Sequence, residues 1–234
     1  MRFKENLPFV VLFLSTIYVL FLGYSDDLDL YIHPRYIVFT IVMSLLCLAL
    51  VLGSHFLNRP HATKKLSFNT LPIIAVLVLS ITFPARSLTS ATVTQRSVNQ
   101  GSTVAASAQE SEALLFSQSS RILTLRDWHR LISINTDESY YANKTAEVSG
   151  FAYDAGLGND TFWLARFVVT CCAVDAAPIG VPVRVSGWQD AYRQDQWLKV
   201  EGQFKSLETA EGRQLVLVPN DIQAIEEPDD PYAN

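Results

Sequence analysis

Cysteine is scarce in this chain, at three in 234 residues, and histidine numbers only four. Three thiols cannot form the even, spaced set that staples a small disulfide-built domain. The C-x-x-C steps typical of structural zinc sites are missing as well. There is no H-E-x-x-H, no glycine-rich phosphate loop and no G-x-S-x-G elbow, so the common hydrolase and nucleotide-binding signatures are absent. Charge is sparse too, at 18% of residues, and it is unevenly placed. From Arg121 onward ten Lys and Arg face seventeen Asp and Glu, a net charge of −7. A phosphate-binding surface needs the opposite sign, which argues against nucleic acid as a partner.

What is present is a set of long apolar runs confined to the first third. Residues 7–24, 36–57 and 68–85 carry no Asp, Glu, Lys or Arg. Each reaches or approaches the ~18–20 residues a helix needs to cross ~30 Å of hydrocarbon. An isolated strand would leave its backbone unpaired there, so three transmembrane helices are expected over 1–86. The first run lacks a small-x-small cleavage site after it and is expected to be retained. Arg2 and Lys4 before the first span, and Arg59, Lys64 and Lys65 after the second, flank an acidic loop at Asp26, Asp27 and Asp29. The positive-inside rule then puts the N-terminus in the cytoplasm and everything after Ala85 outside it.

Residues 87–120 are rich in Ser, Thr, Ala and Gln and have no apolar period, the composition of a flexible tether, with weak helix around Gln109–Phe116. Order resumes at Thr124, a hydroxyl cap with Asp127 three residues on. Leu125, Trp128, Leu131, Ile132 and Ile134 form a short helical stripe that marks Trp128 as a packing residue. His129 falls opposite that stripe and reads as solvated. Alternating strands follow at Ala146–Ala152, Ile179–Val185 and Leu198–Phe204, with a fifth from Leu215 to Val218. Between them Phe162–Cys172 is nearly continuous and apolar, the pattern of a strand covered on both faces. Gly150 and Gly202 sit mid-strand, where glycine marks a bulge or bend. The fold class expected is membrane α plus soluble β, residues 121–234 forming a small OB-like barrel, with a small sandwich as the alternative.

The one chemically loaded string is Cys171-Cys172-Ala173-Val174-Asp175. Neighbouring side chains in a strand point to opposite faces, so the two thiols converge only if the chain leaves the strand there. Three readings stand: packed and inert cysteines, a metal site made by Cys171, Cys172 and Asp175, or a redox pair in an oxidising outer compartment. Cys47, inside the second span, reads as a small apolar residue. His33 and Arg35 precede that span, where they could meet lipid headgroups, the acidic loop or a partner helix.

Four stretches carry a family likeness: Tyr31-Ile32-His33-Pro34-Arg35; Arg166-Phe167-Val168-Val169-Thr170-Cys171-Cys172-Ala173-Val174-Asp175-Ala176; Trp197-Leu198-Lys199-Val200-Glu201-Gly202; and Pro228-Asp229-Asp230-Pro231-Tyr232. On these the chain resembles the YcgQ-like bacterial membrane proteins, a family of permease subunits. Val174 departs from the alanine usual before the aspartate, while Asp175 is kept. The resemblance implies a multi-pass plasma-membrane protein that works beside a separate polytopic permease, and it raises the expectation of a zinc or copper ion at the cysteines. The expected function is therefore a non-enzymatic accessory subunit with an outward β domain. The alternatives are a membrane-tethered thiol oxidoreductase and a purely structural anchored domain. The oxidoreductase lacks the nearby cation or helix terminus that lowers a thiol pKa.

Overall fold

The computed structural model describes residues 7–57, 71–83, 86–93, 120–154, 156–157, 159–209 and 212–233. These form two compact units. One comprises Met1–Ser87 with the tetrapeptide Cys171–Val174, and the other Leu88–Thr170 with Asp175–Asn234.

In the first unit, the apolar runs form α1 (Leu7–Tyr24), α2 (Ile37–Leu57) and α3 (Leu71–Thr82). With so few polar side chains, stray hydroxyls turn back on the helix: Thr16, Ser80 and Thr82 donate to the carbonyls four residues earlier at 2.7–2.8 Å. Tyr18 on α1 donates its hydroxyl to the Ser80 carbonyl on α3 at 3.0 Å. Among the described residues one stretch, Pro34–Gly53, is long and apolar enough to cross a membrane; Phe9–Tyr24 is apolar but shorter. The third expected span appears as a helix of 12 residues. Among the described residues, then, one helix reaches crossing length, and residues 68–70, 84 and 85 of the third expected span lie outside them. The cations that set the expected orientation, Arg2, Lys4, Arg59, Lys64 and Lys65, lie outside the described residues.

The second unit is built on five strands, β1 (Ala146–Tyr153), β2 (Thr161–Val168), β3 (Ala177–Arg184), β4 (Trp197–Thr209) and β5 (Gly212–Ala224). They close into a barrel in the order β1-β2-β3-β5-β4, so a sandwich is excluded. Neighbours are antiparallel except β3 and β5, which run parallel and meet at Val183 and Leu217, making the sheet mixed. Glycine opens the close approaches this curvature demands. A Cβ on Gly202 would lie 2.3 Å from the Val218 carbonyl oxygen, at the register shift between Glu201 and Gly202, and one on Gly150 would lie 2.5 Å from the Ala165 oxygen.

β2 is covered on both faces, as its sequence suggests. Phe162 and Leu164 enter the barrel core with Trp128, Val181, Leu198 and Phe204, while Ala165, Phe167 and Val169 pack outward against Phe151 and Tyr232. The strand ends at Val168, four residues short of the expected Cys172. The cause is local: the Asp175 carboxylate accepts the Thr170 N–H at 3.1 Å and the chain turns through Ala173–Asp175. A side chain satisfying the backbone in this way competes with the ladder.

Helix α4 (Leu125–Ile134) packs on β3 and β1. Its capping box forms as expected, Thr124 Oγ1 accepting from the Asp127 N–H at 3.2 Å and Asp127 Oδ2 from the Thr124 N–H at 3.0 Å. Trp128 is fully buried against Phe204 and Tyr141, ring centroids 5.0 and 6.1 Å away. His129 is not solvated as its stripe position suggests; only 4% of it is exposed. A ten-residue helix pressed against a curved wall buries more than one side chain per turn, and His129 faces the Gly180 backbone, which offers it a hydrogen bond.

Part of the expected tether is ordered. Leu88–Val93 belongs to the second unit, with a helical turn at Ser90–Val93, and Leu88 and Val93 join the outer cluster around Phe151 and Phe167. Residues 94–119, including the helix expected at Gln109–Phe116, lie outside the described residues.

Candidate functional site

The cysteine string sits in the first unit. Cys172 forms an isolated antiparallel bridge with Ile32. His33 donates its N–H to the Cys171 carbonyl at 3.1 Å, and Ala173 donates to the Tyr31 carbonyl at 2.8 Å. Two of the four likeness-bearing stretches therefore pair with each other. His33 also caps a turn, its Nδ1 accepting the Arg35 N–H at 3.1 Å at the start of Pro34–Tyr36. Proline at the first position suits that turn, because its missing N–H would have no partner there. Arg35 is exposed and forms no ion pair among the described residues, the acidic loop being one of the three partners open to it. His33 is held by its cap and by the edge of Tyr36, 6.4 Å away.

The two sulfurs lie 3.6 Å apart, far beyond the ~2.05 Å of a disulfide. Both are thiols, Cys171 exposed and Cys172 half-buried. Their spacing is close to the ~3.8 Å edge of a tetrahedron with ~2.3 Å zinc–sulfur bonds. One oxygen of the third expected donor, Asp175 Oδ1, takes the Thr170 N–H. Among the described residues no group of three or more His, Cys, Asp and Glu is placed to hold a metal ion. The chain thus presents two sulfur donors where a zinc site needs about four ligands. Cys47 lies exposed on α2, apart from this pair.

The other stretches converge in the second unit, on Arg166. Its guanidinium carbon stands 5.1 Å from the centre of the Trp197 ring. Nη1 reaches the Tyr232 carbonyl at 3.4 Å, long for a hydrogen bond, while Nε is shielded from solvent and has no partner. Burial pushes the Arg166 pKa below its ordinary value, and the Asp230 charge offsets part of that. The terminal segment is fixed by pairing: Tyr232 bridges Phe167 in parallel register, Ala233 donates to the Phe167 carbonyl at 2.8 Å, and Asp230 Oδ1 accepts the Tyr232 N–H at 3.1 Å. Tyr232 is buried, which raises its phenol pKa.

A gap in the barrel wall explains why this segment is there. β1 pairs with β2 only from Phe151 to Tyr153, although β1 begins at Ala146 and β2 runs on to Val168. Where the strands part, a recess of about 380 Å³ opens between Glu147–Ser149, Arg166, the terminal segment and Arg121–Leu125. Its carboxylates are taken. Lys199 lies 2.5 Å from Glu147 and holds its carboxyl below the ordinary range, and Asp230 Oδ1 accepts the Tyr232 N–H. A larger cleft of about 1030 Å³ runs beside Asp137, Glu138 and Ser206, but those carboxylates are spent on backbone N–H groups of Ser139 and Ser206.

Of the sequence-expected site residues, then, Cys171, Cys172 and His33 come together along one short pairing, while Arg35 and Asp175 turn to other partners. Trp197, Asp230 and Tyr232 were not singled out as a site. The available signal was Arg166 itself, a charge inside an otherwise apolar strand that must find compensation somewhere.

Residues 100–234, more than half of the chain, match the DUF1980 C-terminal domain. The chain belongs to that family. It is a bacterial domain family of unknown function, and the match takes in the whole barrel, both cysteines and the terminal segment. No curated protein matches the chain.

Proposed function

We propose that this DUF1980-domain chain is a non-enzymatic accessory subunit of a bacterial permease, of the YcgQ-like kind, anchored in the plasma membrane. The observation that carries the reading is the exposed apolar face of Pro34–Gly53, a helix of which almost no residue is fully buried. Leu50 is 73% exposed and Val38 71%. Such a face is stable only against lipid or the helices of another membrane protein. The shorter apolar helices α1 and α3 extend the proposal to three spans, with the N-terminus cytoplasmic and the β domain outside. Closure by five strands, a mixed seam and a helix packed on β3 and β1 support assigning the barrel to the OB-like class. The four likeness-bearing stretches supply the permease as partner.

Topology reporters and native purification test this. A reporter fused after Asn234 is expected to be active outside the cytoplasm, and one fused near Thr63 inside; reversed signals overturn the three-span arrangement. In mild detergent at native expression the protein should co-purify with a larger polytopic protein. Recovery as a free monomer or self-assembly alone would remove the accessory role.

The 3.6 Å between the sulfurs of Cys171 and Cys172 favours a second reading for that loop, in which the two thiolates bind a soft or borderline ion such as zinc or copper. Further ligands would come from another chain or from solvent. A redox role for the same pair is distinguished by its indifference to added metal.

A further inference from the structure

Arg166 is a half-buried cation, and its Nε is shielded from solvent with no partner among the described residues. A guanidinium carries five N–H donors in a fixed fork. Here one of them reaches a carbonyl at 3.4 Å, Nε reaches nothing, and no carboxylate lies within ion-pair distance among the described residues. Holding a charge this way costs stability unless something else completes it. The candidates within the protein are occupied: Asp230 accepts the Tyr232 N–H, and Glu147 is held by Lys199. Trp197 covers one face of the guanidinium, which leaves the edge of the fork for the recess. The rest of the wall offers the hydroxyl of Ser149, a group able to donate to an anion, while the Thr124 hydroxyl is given to Asp127 Oδ2 at 2.7 Å.

We propose that this recess is a binding site for a small oxyanion, the carboxylate or phosphate of a low-molecular-weight ligand, gripped by the fork of Arg166. Arg and a planar oxyanion match in geometry, two parallel N–H···O bonds giving both strength and orientation. A volume of about 380 Å³ admits a metabolite-sized group or a headgroup and excludes a folded partner. The terminal segment, held by Phe167, forms one side of the site, so ligand binding and order of Asp230–Ala233 are linked. This site is separate from the cysteine pairing and stands whether or not the permease partnership does.

The test is thermal unfolding of the full chain in neutral detergent, with inorganic phosphate and then succinate added at constant ionic strength. The melting temperature should rise with the logarithm of the anion concentration, as binding to the native state requires. Arg166→Gln should lose that response, and Arg166→Lys, which keeps the charge without the fork, should bind at least tenfold more weakly. Because Arg166→Gln could fail to fold, Ser149→Glu provides an independent arm. It places a carboxylate in the recess beside an intact Arg166, and should melt higher without ligand and no longer respond to phosphate. Nanodiscs with and without phosphatidylglycerol separate the sources: a rise with that lipid and not with phosphate or succinate assigns a headgroup. No response to any of the three probes, or equal responses in wild type and Arg166→Gln, overturns the proposal.

Discussion

Asp195 grips Ser90 with both carboxylate oxygens, taking its backbone N–H at 2.7 Å and its hydroxyl at 2.8 Å. Asp195 adopts a left-handed conformation, φ 63°, which asparagine tolerates better than most residues. Asp195→Ala strands two buried donors and should cost about 1–3 kcal/mol. Asp195→Asn keeps an acceptor and should recover much of that loss. Limited proteolysis should then cut Leu88–Val93 faster in the alanine variant; equal melting and equal cleavage of the two variants would contradict the clamp.

Gly202 is the tightest point of the barrel. A methyl group there would overlap the Val218 carbonyl, which is backbone and cannot swing aside. Gly202→Ala should therefore destabilise by about 3 kcal/mol or more, the upper end of ordinary overpacking. Gly53→Ala, where nothing stands within 4 Å, is the control and should be neutral or slightly stabilising. Comparable losses at the two positions would argue against the bulge geometry.

Acid should weaken the second unit through His129. Burial lowers its pKa below the ordinary 6.5; the Gly180 hydrogen bond opposes that shift and the Arg130 charge adds to it. As pH falls through 6.5 the unfolded chain takes up a proton that the folded chain refuses. Stability from this group is thus complete above that pH and declines below it, until the folded-state pKa is reached, at up to about 1.4 kcal/mol per pH unit. Denaturation between pH 7.5 and 5 should show the slope, and His129→Gln should flatten it. An unchanged slope in the variant would assign the acid sensitivity elsewhere.

That histidine marks where sequence legibility stops. Alternation located β1, β3 and β4, apolar runs located β2 and β5, and the mid-strand glycines announced the curvature of the wall. Trp128 was legible as core because its neighbours repeat at helical spacing. His129 was not, since its burial comes from the β3 backbone at Gly180, which its own helix does not announce. The end of β2 was hidden for a different reason: Val169 and Cys172 read as strand residues, while the Asp175 side chain six residues beyond Val169 decides where the ladder stops. The pairing of Tyr31–His33 with Cys171–Ala173 is a backbone relationship between distant segments and leaves no periodic trace. Arg166 was visible as an oddity, but its companions Trp197 and Tyr232 come from strands and tails whose register composition does not encode.

Zinc titration of the reduced full chain separates the readings of the cysteines. If the pair binds a metal, the melting temperature should climb with zinc and the climb should weaken as pH falls, because thiols must shed protons to ligate. Cys171→Ser with Cys172→Ser should abolish it. Asp175→Ala should instead act on the turn, costing stability without changing metal uptake, since it removes the oxygen that serves Thr170. A flat melt across micromolar zinc leaves the pair as packing or redox thiols.

The barrel is closed by contacts between residues far apart along the chain: Ala146 with Gly202, Val183 with Leu217, Phe167 with Tyr232. Such non-local pairings carry a loop-closure entropy that must be met before any of them is rewarded, so a domain dominated by them folds slowly. The helices of the first unit make their hydrogen bonds within a few residues and need no such wait. During synthesis the apolar helices should thus be formed well before the wall closes, and for that interval β2 stands with Ala165, Phe167 and Val169 uncovered. A chaperone that recognises bare apolar strands would find its target in that window, and substitutions that delay closure, at Gly202 above all, should show first as loss of yield and only later as loss of stability.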